Sequence, residues 1–142
     1  MTATIKLTTP DHMRQAITAS VFLFMSIFLI SCAQTFNYER GASMTGGDPQ
    51  AGKDKIVLHD CHSCHEIPGI PLNAQRRGPS LKHWARQITI AKKWPNTPDN
   101  LEDFLQHPER MLHGTGLKSE MTMSSVKPGD AKDIAAYLFS LD

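Results

Sequence analysis

Cys61 and Cys64 stand two residues apart, and His65 follows the second at once. On one helical turn, two thiols at this spacing reach the two vinyl groups of a single porphyrin. An imidazole directly after the second thiol is then placed to bind the iron. Cys61-His62-Ser63-Cys64-His65 thus reads as the covalent attachment sequence of one haem c. Two other chemistries use a Cys-x-x-Cys pair. A structural zinc site needs four ligands, commonly including a second Cys/His pair. The other cysteine, Cys32, lies far upstream, so a zinc site would recruit from the scattered His59, His62, His83, His107 and His113. A thioredoxin-like dithiol needs a strand–helix setting, and no alternating strand pattern of useful length is present.

The N-terminal residues agree with haem chemistry carried out after export. Lys6 and Arg14 precede an apolar run, Ala16 to Ile30. A positive head, about 15 apolar residues and then small residues make a secretory signal, and the run is short of the about 20 residues a spanning helix needs. Residues 1–31 are assigned to this signal. Leu29-Ile30-Ser31-Cys32 resembles a bacterial lipobox, in which the cysteine becomes the lipid-carrying N-terminus. Cleavage after Ala33 and an uncleaved anchor are the other readings. Each puts the remaining chain on the periplasmic side of a bacterial membrane, and lipidation of Cys32 accounts for an exported cysteine without a partner.

These residues need a scaffold. Roughly 110 residues follow the signal, enough for one small domain. Residues 32–48 show no apolar period and contain Gly46-Gly47, so they read as a flexible tether. Residues 49–142 read as an all-α domain of three to four helices around the haem. Asp48-Pro49 opens a helix expected to run to about His62 and to deliver the motif. Residues 66–80 hold prolines and glycines and read as loop. A short helix is expected around Leu81 to Ala91. Thr97-Pro98-Asp99 starts another that stops before Pro108, and Pro128-Gly129-Asp130 starts the last, with Ala131, Ile134, Ala135 and Leu138 at helical spacing.

From about Gly52 to Leu141 the chain resembles a class I monohaem cytochrome c. In that family a methionine before the final helix is the second axial ligand, and Met121 occupies that place ahead of Asp133-Ile134-Ala135-Ala136-Tyr137-Leu138. The family's usual Met-Pro is Met121-Thr122 here, which keeps Met123 open, with Met111 or a histidine behind it; any of these methionines otherwise fills core gaps. Gly78-Pro79-Ser80-Leu81 resembles the family's Gly-Pro-x-Leu, whose proline carbonyl accepts a hydrogen bond from the proximal histidine. Read alone it is a plain turn. Trp84, Arg86 and Trp94 are candidate donors to the haem propionates or packing residues.

A finer resemblance covers Ile90 to Pro108. Its Pro95-Asn96-Thr97-Pro98-Asp99-Asn100-Leu101 is similar to the cytochrome c domain of subunit II in caa3-type oxidases and to free cytochromes of that group. It implies an electron carrier, not an enzyme, that serves a terminal oxidase. The same haem domain also serves as the electron-accepting subunit of a periplasmic dehydrogenase. A gas-binding haem sensor would need an open sixth position, against which the methionine layout argues. Between Ile67 and Pro98 lie Arg76, Arg77, Lys82, Arg86, Lys92 and Lys93 and no acidic residue. This segment is expected to steer an acidic redox partner or to be a solvated surface. Net charge is only +1, and nothing points to nucleic acid.

Overall fold

Capping side chains set the helix starts. Asp48 accepts from the backbone N–H groups of Gln50 and Ala51, and Thr97 from that of Asn100. Each stands before a proline, whose fixed φ suits the first helical position and whose missing N–H costs nothing there. The computed structural model describes residues 36–71, 77–119, 121 and 126–142, all within one unit of the chain. Helix α1 is Tyr38–Thr45, α2 Pro49–Leu58, α3 Pro98–Gln106, α4 Pro108–Leu112 and α5 Pro128–Phe139. Two-residue strands β1 (Thr89–Ile90) and β2 (Trp94–Pro95) pair antiparallel, Thr89 with Pro95 and Ile90 with Trp94. The described part is mostly helical.

Helix α5 is the centre. Helices α1, α2 and α3 and the 3-10 turn Trp84–Arg86 all pack on it. Its second half, Ile134 to Phe139, is therefore buried on every side, beyond the single stripe the sequence period implies. Ile56, Ile90, Leu101, Leu105 and Val126 complete the core. Burying each such aliphatic side chain contributes about 1.5–3 kcal/mol before the cost of ordering the chain. The α2–α5 crossing is close because Gly52 has no side chain: a Cβ there would overlap the Asp133 carbonyl.

The structure departs from the sequence reading in four places. Residues 38–45, expected as tether, form α1 and lie on α5. Gly41 faces the Ala136 carbonyl, Gly41 and Thr45 are its buried members, and Asn37 caps its start. A face made of small residues carries no apolar stripe, so periodicity does not reveal it. The helix from Pro49 stops at Leu58, not near His62: Asp60 adopts a left-handed conformation, φ 54°, and restarts the chain as the 3-10 turn Cys61–Ser63. No helix spans 81–91. His83 is left-handed, and Asn96 Nδ2 donates to the carbonyls of Trp84 and Gln87, acceptors that a continuing helix would use. β-Branched Ile88-Thr89-Ile90 favours the short ribbon instead. Finally, the helix from Pro98 does stop before Pro108, but α4 follows it directly across His107-Pro108, a short helix that the expected elements did not include.

Candidate functional site

The Cys61–His65 segment is one helical turn with its own internal bonds. Ser63 N–H donates to the Asp60 carbonyl, and the N–H groups of Cys64 and His65 both donate to that of Cys61, at 3.2 and 2.9 Å. Ser63 Oγ also donates to the Asp60 carbonyl at 2.7 Å. Cys61 and Cys64 are half-buried free thiols on this turn, and Cys61 packs against the core. Burial pushes the Cys61 thiol up to about 11, so it is uncharged at neutral pH.

A second strand of chain, Arg77 to Lys82, is laced to this turn. Gly78 N–H donates to the Cys64 carbonyl at 3.1 Å and Leu81 N–H to the Glu66 carbonyl at 2.9 Å; Lys82 Nζ pairs with Glu66 at 2.7 Å. Between these bonds, His65 Nδ1 lies 2.8 Å from the Pro79 carbonyl. A carbonyl accepts only, so Nδ1 carries a proton and donates, and in the neutral imidazole the lone pair is then on Nε2. Gly78 lies against the imidazole face, and a Cβ there would run into the ring. The ring is thus held by a hydrogen bond on one side and by backbone contact at Gly78. Such an imidazole is prepared to bind a metal through Nε2.

Leu81, Trp84, Trp94 and Phe104 are half-covered apolar residues packed on the same core as Cys61. The three candidate polar donors separate here. Trp94 Nε1 donates to the Met111 carbonyl at 3.1 Å, and Arg86 Nε lies 3.6 Å from the Asp142 carboxylate. Among the described residues Trp84 Nε1 is buried with no hydrogen-bond partner. An unpaired buried donor costs about 1–3 kcal/mol, which makes Trp84 the donor suited to an incoming acceptor. Asn96, to which its sequence position assigns no role, sets the turn that carries Trp84 through its two bonds to the Trp84 and Gln87 carbonyls.

Met121 is half-buried and its N–H donates to Ser119 Oγ at 3.1 Å. Met111 is buried in α4. Met123, Arg76, Cys32 and the signal at 1–31 lie outside the described residues. Among the described residues no three His, Cys, Asp or Glu side chains are gathered as a metal-chelating group. Two of the scattered histidines have other partners: His59 Nε2 lies 3.0 Å from the Asp130 carboxylate, and His83 Nδ1 lies 2.7 Å from the Asp142 carbonyl. Within the basic segment, Lys82 and Arg86 face Glu66 and Asp142, which reduces the charge left for a partner.

Comparison with protein-family models gives no match for this chain, and comparison with curated proteins gives no significant one.

Proposed function

We propose that the chain is an exported, membrane-tethered monohaem c-type cytochrome that passes single electrons to a terminal oxidase. The observation that carries this reading is the fixed imidazole of His65, one residue beyond two thiols on a single helical turn and hydrogen-bonded at 2.8 Å to the Pro79 carbonyl. The haem, when bound, supplies a one-electron ferric/ferrous couple.

Cys61 and Cys64 would hold the group through thioether bonds, and His65 through Nε2. Met121 would hold the iron as its second protein ligand in this reading, with Met123 as the alternative. The residues present fit such a group. Trp84 Nε1 is a buried donor without an acceptor, as a propionate carboxylate requires. Leu81, Trp84, Trp94 and Phe104 supply the half-covered apolar surface a porphyrin buries. Pro79, by accepting from Nδ1, keeps the tautomer that leaves Nε2 free and raises the basicity of the ring. A zinc site is less well supported, since the described residues bring no chelating cluster together. Two protein ligands on the iron would exclude oxygen and keep reorganisation small, which suits a carrier.

The test is made on the protein purified after export. The mass of the denatured chain should include one haem, and the absorption spectrum of the reduced protein should not change on adding carbon monoxide. A chain without covalent haem would refute the cytochrome reading. A rapid carbon monoxide complex would refute the carrier in favour of a sensor.

A further inference from the structure

The segment expected to be a loose tether is bound to the final helix, and this changes where the domain can sit. Helix α1 runs antiparallel to α5: Phe36 bridges Leu141, Gly41 meets Ala136 and Gly47 meets Lys132. Polar bonds fasten the same contact. Asn37 N–H donates to the Ser140 carbonyl at 2.8 Å, Arg40 Nε donates to the Phe139 carbonyl at 3.1 Å, and Arg40 Nη1 pairs with Asp142 at 3.0 Å. The chain therefore enters the domain at the C-terminal end of α5.

At that entry point two aromatic rings are only partly covered. Phe36 is 39% and Tyr38 37% exposed, and they stack edge-on at 5.8 Å over the buried Tyr137, 6.1 and 6.2 Å from its ring. A tyrosine, with an apolar ring and a polar hydroxyl, is what the boundary of a lipid bilayer selects, and Phe36 adds apolar area beside Tyr38.

Chain length supplies the partner. Three residues separate Cys32 from Phe36, a span of about 14 Å at full stretch, whereas a free tether to Asp48 would reach about 55 Å. We infer that Phe36 and Tyr38 form a membrane-contacting surface, so that the C-terminal end of α5 faces the lipid and the domain is oriented and not freely swinging. This rests on the lipid-anchor reading of Cys32. The same polarity turns the other end of α5 to the aqueous side. There Asp130 meets Lys55 and His59 at 2.8 and 3.0 Å, just before the Cys61 turn.

The test uses the full-length holoprotein on vesicles of phosphatidylethanolamine and phosphatidylglycerol. A spin label is placed at Glu39→Cys, beside the aromatic pair, or at Lys127→Cys, before the far end of α5; both positions are exposed, and the haem spectrum checks that each variant folds. Mass spectrometry of the N-terminal peptide reports the lipid independently. With lipid present, collisions with a water-soluble nickel complex should fall several-fold at position 39 relative to 127. Lipid present with equal collisions at both positions would overturn the oriented surface and leave the anchor standing. An N-terminus without lipid would overturn the anchor reading, and this inference with it.

Discussion

His65 and Pro79, fourteen residues apart, are joined by a 2.8 Å hydrogen bond from the imidazole Nδ1 to the proline carbonyl. The bond selects the tautomer, and the flanking bonds at Cys64–Gly78 and Glu66–Leu81 make it part of a backbone lattice. The ring orientation therefore depends on the loop as much as on the helical turn that carries the histidine.

Gly78→Ala should disturb this arrangement, since the added methyl runs into the His65 ring. Overpacking of this kind costs about 1–3 kcal/mol. The expected outcome is a lower unfolding midpoint and, in the proposed haem protein, an altered absorption spectrum. Wild-type values in both would show that Gly78 does not hold the ring.

In the proposed haem protein, Met121→Ala should open the sixth position, lower the reduction potential and allow carbon monoxide to bind the reduced form. Met123→Ala should leave all three unchanged. The reverse pattern would move the ligand to Met123.

Tyr137 is buried, and its hydroxyl donates to the Pro68 carbonyl at 2.6 Å. Burial, with a smaller contribution from Tyr38, pushes its pKa up to about 12, so the hydroxyl stays protonated across the ordinary range. Tyr137→Phe keeps the packing and removes the bond. The expected loss is about 1 kcal/mol, a fall of about 4–8 °C in Tm for a domain of this size, readable by thermal unfolding. An unchanged Tm would mean that the bond contributes nothing net.

The Asp130 cluster gives stability a pH dependence. The Lys55 and His59 hydrogen bonds hold the Asp130 carboxyl below the ordinary 3.8. Its contribution is therefore complete above that value and lost as pH falls through the lower folded pKa. The Asp130 hydrogen bond raises Lys55 above 10.5. Its share is complete below that value and lost as pH rises past the raised pKa. Asp130→Asn should lower stability at neutral pH and flatten the acid fall of urea midpoints between about pH 5 and 2. An acid fall as steep as in wild type would place the acid sensitivity elsewhere.

Gly41→Ala should push α1 off α5, because the methyl would overlap the Ala136 carbonyl. Amide exchange over residues 38–45 should accelerate while the α2–α5 crossing stays protected. Slow exchange at 38–45 in the variant would mean that α1 absorbs the methyl without undocking.

The sequence by itself determined the features that are local. Cys61, Cys64 and His65 are placed by spacing on one turn; Pro49, Pro98 and Pro128 each open a helix with the cap or turn residue beside it. These depend on bonds within a few residues, so their residue types carry the information. Tertiary structure alone decided which donors remain available. Trp84 and Trp94 are alike in sequence, yet the Met111 carbonyl engages one and leaves the other unpaired. It also decided that residues 38–45 are a docked helix, because the contact is made against backbone at Gly41. A missing side chain leaves no periodic signal in a sequence; its meaning appears only when another helix lies across it.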